Sequence, residues 1–126
     1  MTYLDESLKI LIVEDDEQTR FLYSVKLKDY QIEKARNGED GFEKHLSFKP
    51  DIILTDLSMP KMDGTEMVAK IREQGDKIPV IVITGADNKS SENAKKARDA
   101  GANAVLQKPF TKDALLECIF DLVTPG

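Results

Sequence analysis

Four short stretches of this sequence hold residue types that handle phosphate and hard metal ions: Glu14-Asp15-Asp16, Asp56, Thr84-Gly85 and Lys108-Pro109. Carboxylates gathered in one crevice repel each other unless a cation or bound protons compensate. Oxygen ligands of this kind suit Mg²⁺, which keeps several waters and takes one or two carboxylates plus phosphate oxygens. Lys108 adds a fixed positive charge that can pair with a carboxylate at rest and with a phosphoryl oxygen later. Thr84 supplies a hydroxyl donor, and Gly85 has no side chain to block a bulky group. In such surroundings Asp56 can act as a nucleophile, because metal and lysine stabilise charge on the oxygens of a transferring phosphoryl group. The product is an acyl phosphate, which stores free energy and can be hydrolysed again.

These residues lie far apart in the chain, so a fold must bring them together. Lys9–Val13, Asp51–Thr55 and Pro79–Thr84 are short runs rich in β-branched residues and apolar on both faces, the pattern of parallel strands covered on both sides. Ala102–Leu106 is a weaker fourth run, and Gln31–Arg36 alternates as an edge strand does. Helices are predicted between them: from Asp16 or Glu17 to about Lys28, burying Phe21, Leu22 and Val25; from Glu39 to about Phe48, burying Phe42 and Leu46; from Gly64 to about Gln74, burying Met67, Val68 and Ile71; from Ser90 to Ala100, burying Ala94, Ala97 and Ala100; and from Thr111 to Val123, burying Leu115, Ile119 and Leu122. Asn37-Gly38, Gln74-Gly75-Asp76 and Ala100-Gly101 punctuate the joins. Strict alternation with right-handed crossovers predicts an α/β fold with a doubly wound five-stranded parallel sheet of order 2-1-3-4-5 and five helices, a flavodoxin-like arrangement. Ligands bind such sheets at the carboxyl ends of strands 1 and 3. All four stretches above end strands on that edge.

The bulk numbers are consistent with a single domain over 1–126 with a core at about 8–123. Lys and Arg number 18 against 23 Asp and Glu, a net charge of −5, which argues against direct nucleic-acid binding and against an anionic membrane surface. No basic, apolar leader opens the sequence, no run approaches the ~20 apolar residues of a membrane span, and the single cysteine, Cys118, allows no internal disulfide; the cytoplasm is the expected location.

Several residues have plainer roles. Asp16 is expected to cap the first helix, and Asp63-Gly64 to form a turn and helix start. His45 is expected to be a solvated surface residue and Cys118 a small core or boundary residue. The last helix carries a second stripe, Leu116, Phe120 and Val123, which is expected to form part of a partner or dimer face.

The chain resembles the receiver domains of two-component response regulators over almost its whole length. The residues that carry the likeness are Ile10-Leu11-Ile12-Val13-Glu14-Asp15-Asp16, the run from Asp51 through Thr55-Asp56-Leu57-Ser58-Met59-Pro60-Lys61-Met62-Asp63-Gly64, Val82-Ile83-Thr84-Gly85-Ala86, and Lys108-Pro109-Phe110. The resemblance implies that Asp56 is the phospho-acceptor and that Asp15 ligates Mg²⁺, or Mn²⁺ in its place, directly. It also implies a water-mediated contact from Glu14, the Ser58 backbone carbonyl as a further ligand, and Thr84 and Lys108 on phosphoryl oxygens. Lys108-Pro109 is similar to the family's cis peptide. The implied partners are a sensor histidine kinase or histidine phosphotransfer protein as phosphohistidine donor, and a downstream effector meeting the face made by the last two helices and the strand between them, with homodimerisation as a further expectation. The expected activity is that of a phospho-acceptor taking part in its own phosphotransfer and dephosphorylation, not of an enzyme. Two positions depart from the usual pattern: Val105 stands where many relatives have an aromatic residue, and Glu14 replaces the commoner Asp.

Three other functions fit parts of the pattern. A phosphatase with an aspartyl-phosphate intermediate places a second Asp two residues after the nucleophile, where this chain has Ser58. A flavodoxin-like cofactor binder needs a small-residue phosphate loop after the first strand, where Glu14-Asp15-Asp16 would repel phosphate. An unphosphorylated interaction module on the same fold would bind no metal. In the favoured reading the switching element is the segment from Ala86 to Ser91.

Overall fold

Runs of Ile, Val and Leu that face helices on both sides have only one way to hide: alternate side chains go to opposite faces of a sheet covered twice. The structure, a computed structural model, describes residues 5–57, 59, 61–85 and 90–124, with the backbone alone at Ser90 and Ser91. Its elements are β1 (Lys9–Val13), α1 (Glu17–Lys26), β2 (Gln31–Ala35), α2 (Gly38–Phe48), β3 (Ile52–Asp56), α3 (Gly64–Glu73), β4 (Val80–Thr84), α4 (Ser90–Ala100), β5 (Ala104–Gln107) and α5 (Lys112–Val123). All pairings are parallel and the order is β2-β1-β3-β4-β5, the doubly wound α/β sheet that the alternation predicts, with β2 at an edge.

The period of two is visible in the core. Ile10 and Ile12 of β1, Ile52 and Leu54 of β3, and Ile81 and Ile83 of β4 pack on one face with Leu115 and Ile119 of α5. Leu11, Val13, Ile53, Val80 and Val82 pack on the other with Met67, Val68 and Ile71 of α3 and Ala97 of α4. Side chains cap the helices: the Thr19 N–H donates to the Asp16 carboxylate at 2.9 Å, Asp40 N–H to Asn37 at 2.8 Å, Glu66 N–H to Asp63 at 2.8 Å and Ala114 N–H to Thr111 at 3.0 Å. Asp16 thus has the capping role read from the sequence, and the helix start read at Asp63-Gly64 is capped by Asp63.

Three expectations need correction. The apolar stripe on α1 does not face the sheet: Phe21 is 60% exposed, Leu22 57% and Val25 45%, while Tyr23 and Leu27 are buried. The helix carries two stripes at helical spacing, and its rotation is set by Asp16 at its cap and by Arg20, whose guanidinium donates to the Glu14 carbonyl at 2.8 Å. On α2, Phe42 is buried but Leu46 is 50% exposed, and the buried position beside Phe42 goes to His45. His45 is therefore not a solvated residue. Its Nε2 lies 2.9 Å from an Asp76 carboxylate oxygen, and its Nδ1 is buried without a hydrogen-bond partner among the described residues. On α5, the second stripe of Leu116, Phe120 and Val123 is half-buried, packing against the core on its side of the sheet with part of each side chain still exposed. Cys118 is half-buried beside them, the boundary position read for it.

Asp76 belongs to a second network at the edge of the sheet where β4 begins. Its other carboxylate oxygen accepts the Ile78 N–H at 2.9 Å, and its carbonyl accepts from Arg72 at 2.8 Å. Arg72 also donates twice to the Gly101 carbonyl and once to Asn103, whose side chain accepts the Val80 N–H. The network ties α2, α3, β4 and the turn before β5 to one another. His45→Ala is expected to cost about 2 kcal/mol by leaving a cavity and removing the Asp76 contact, read as a lowered urea midpoint at unchanged m-value.

Candidate functional site

Parallel pairing in register brings the strand ends into line. Val13 lies opposite Thr55, Asp56 opposite Ile83 and Thr84 opposite Gln107. The residues that follow or close those strands, Glu14, Asp15, Asp56, Thr84 and Lys108, therefore lie along one edge. Glu14 continues the ladder, its N–H donating to the Ala35 carbonyl at 3.0 Å, and the chain then turns so that Glu14 reaches back to accept the Asp16 N–H at 3.0 Å. Carboxylate oxygens of Glu14, Asp15 and Asp56 all come within 4.8 Å of one another.

The three acids differ in surroundings. Glu14 is 2% exposed, Asp56 half-buried and Asp15 exposed. Asp56 accepts the Leu57 N–H at 2.9 Å on Oδ1, which orients the carboxylate. Gly64 sits against its backbone: a Cβ there would collide with the Asp56 carbonyl oxygen, so the β3–α3 connection folds back only with glycine at this position. The sequence reading of Asp63-Gly64 as a helix start is right but omits this close approach.

Burial pushes the Glu14 carboxyl up to about 7; the Asp16 N–H and Lys108 oppose the shift, and the Asp56 charge and Asp15 reinforce it. Burial also raises Asp56, with Lys108 and the Leu57 N–H pulling down and the Asp15 charge pushing up. The Lys108 charge is thus felt by both carboxylates. Lys108 is half-buried, its N–H donates to the Thr84 carbonyl at 2.8 Å, and its peptide bond to Pro109 is cis. Thr84 is buried, whereas Gly85 is exposed and borders open space where a side chain would begin. Ser58 and the segment 86–89 lie outside the described residues, and with them the expected carbonyl ligand and most of the expected switching element.

Two residues at this edge escape a reading of the sequence. Arg20 holds the Glu14 carbonyl, and Tyr23 lies close enough to Glu14 and Asp56 that burial first, and then their charges, raise its phenol. The available signal was positional: Arg20 and Tyr23 sit one and two turns into the helix that follows the acidic triplet, three apart and so on one face.

The donor set fits a hard divalent cation. All three side chains offer oxygen, and Glu14 Oε1 is buried with no hydrogen-bond partner among the described residues, a lone-pair position that asks for a cation or a bridging water.

Comparison with known proteins agrees with this geometry. Residues 10–120 match the sequence profile of the response regulator receiver domain. The chain is similar to the response regulator MprA of Mycobacterium ulcerans, with 37% identity over 112 residues that cover 87% of this chain and 47% of the relative. It thus spans about half the length of the curated relatives it matches. Among solved structures, the N-terminal domain of an uncharacterized protein from Wolinella succinogenes aligns with a TM-score of 0.81 and 36% identity, covering 91% of this chain and 92% of that one. The Vibrio cholerae chemotaxis protein CheY4 aligns with a TM-score of 0.83 and 29% identity, covering 92% and 98%. With its sheet order, its acidic edge and a profile match over nearly its whole length, this chain belongs to the response regulator receiver domain family of two-component signalling.

Proposed function

We propose that Asp56 accepts a phosphoryl group from a phosphohistidine on a separate kinase or phosphotransfer protein, in a Mg²⁺-dependent reaction, and that the acyl phosphate biases the domain toward a state that binds an effector. The observation that carries this reading is the convergence of Glu14, Asp15 and Asp56 within reach of the Lys108 charge. In the step, an Asp56 carboxylate oxygen forms the new P–O bond, the P–N bond of the donor breaks, and the histidine leaves carrying its proton. The Leu57 N–H fixes the carboxylate so that its other oxygen is free to attack. Lys108 supplies positive charge for the phosphoryl oxygens, Thr84 a hydroxyl donor, and Gly85 the open space next to them. Glu14 and Asp15 would hold Mg²⁺ together with Asp56, and the ion would neutralise the carboxylates and draw charge from the transferring oxygens.

The chain acts here as an acceptor consumed and regenerated, not as a catalyst turning over a diffusible substrate. Val105 lies half-buried opposite Val82 on β5, so any movement of Thr84 would pass to the β5–α5 side without an aromatic side chain to carry it. Phosphoramidate with Mg²⁺ should give a single phosphoryl adduct by intact mass, and EDTA should prevent it. An unmodified mass after prolonged incubation in excess Mg²⁺ and donor would overturn the reading.

A further inference from the structure

The largest exposed apolar side chains of the described residues are Phe21, Leu22 and Val25 on α1 and Leu46 on α2. Three of the four lie on one helix. Gln18, Phe21 and Val25 follow one another along α1 at spacings of three and four, with Lys28 in the turn just past its end, all exposed, with Leu22 beside them and an open groove along Phe21 and Leu22. That is the seam spacing of a helix that packs along another helix.

The charges at the two ends of the seam are opposite. Asp15, Asp16 and Glu17 stand at the beginning of α1, and Lys26 and Lys28 at its end, where Asp29 is the one acid. A helix of ten residues is about 15 Å long, short enough for both ends to meet the ends of an equal helix. Laid antiparallel on a second copy about a two-fold axis, the seam places Phe21 against Val25 of the other chain and the Glu17–Gln18 end beside Lys28. The helix dipoles then oppose each other favourably. A parallel arrangement would set acid on acid. Neither Glu17 nor Lys28 has an ion pair within its own chain among the described residues, so both are available.

We infer that the exposed face of α1 is a self-complementary docking surface whose occupant is a second copy of this chain, paired antiparallel through Phe21, Leu22 and Val25. The inference is independent of phosphoryl transfer, and an Asp56→Asn protein should pair equally well. Because α1 begins beside Asp15, the paired state also covers the approach to the acidic edge from that side, so that pairing and access by a large phosphoryl donor oppose each other.

Three apolar side chains on a helix of ten residues make a small contact, which places the expected midpoint at roughly 100 µM. Sedimentation equilibrium from about 10 µM to about 1 mM should show a monomer–dimer equilibrium that weakens as salt is added. Phe21→Glu should raise the dissociation constant by at least about tenfold, and Leu46→Glu on α2 should leave it unchanged. Glu17→Lys and Lys28→Glu should each weaken pairing by about two- to threefold and together restore it. A monomer throughout the range, a dimer indifferent to Phe21→Glu, or a double exchange that fails to restore pairing would overturn the inference. The substituted side chains are all exposed, so the variants keep the fold.

Discussion

An Asp56→Asn protein should take up no phosphoryl group from phosphoramidate in Mg²⁺, a loss of at least about a thousandfold in adduct formation, while folding as the wild type does. The amide keeps the shape of the carboxylate, and its oxygen still accepts the Leu57 N–H. It lacks the negative oxygen that would form the P–O bond, so the covalent step has no nucleophile. The structure separates this loss from unfolding. Asp56 is raised in pKa by burial and by the Asp15 charge, which means the folded state holds the carboxylate at a cost that the neutral amide avoids. The variant should therefore be at least as stable as the wild type without metal. Intact mass and a denaturant curve on one preparation check both halves. An adduct on the variant would move the acceptor to another residue, and a large drop in stability would show that the charge has a structural role.

A second large effect is expected at Glu14, with the sign set by its burial. In the metal-free domain its carboxyl titrates at about 7 against an ordinary value of 4.5. Between those values the folded chain carries a proton that the unfolded chain has released, so stability is fully present below about 4.5 and falls as pH rises toward 7. The gap corresponds to about 2–3 kcal/mol after allowance for water at the open side of the cluster. Glu14→Gln is isosteric, removes that titration, and should stabilise the metal-free domain by about that amount at pH 8 and hardly at all at pH 4.5. Mg²⁺ should act the other way round. It compensates the charges of Glu14, Asp15 and Asp56, so millimolar Mg²⁺ should raise the melting temperature of the wild type more than that of Glu14→Gln. Melting curves at pH 4.5 and pH 8, with and without Mg²⁺, test all of this. Equal melting temperatures for both proteins at pH 8 without metal would mean that Glu14 is not held as a buried carboxyl.

The strands were legible because a fully covered parallel strand has to be apolar on both faces, and Ile10–Val13, Ile52–Leu54 and Val80–Ile83 have almost no polar residue to confuse the pattern. Their boundaries moved by one or two positions at the starts, as at Asp51 and Ala102, which lie before β3 and β5 instead of within them, while Asp56 closes β3 as read. The site was legible for the same reason: once strand order is known, strand ends fall on one edge whatever the helices do.

Helix rotation was harder to read. On α1 the more apolar stripe, Phe21, Leu22 and Val25, points to solvent, and Tyr23, with Leu27 at the C-cap, faces the sheet. Hydrophobic content alone cannot choose between two stripes on one helix; the Asp16 cap and the Arg20 contact to Glu14 do so, and both depend on where β1 ends in space. His45 shows the same limit. A histidine on an amphipathic helix reads as surface until a partner from another element, here Asp76, arrives to share its burial.

Alternation, turn chemistry and chain connectivity set the sheet order, the cap of α1, the start of α3 and which carboxylates stand at the ends of which strands, and residue types along the chain encode all of these. Tertiary structure alone decided how α1 is turned, that Glu14 is buried while Asp15 is not, and that His45 and Arg72 brace the edge where β4 begins. Burial and electrostatic coupling are properties of neighbours brought from distant parts of the chain, and no local pattern of residue types encodes them.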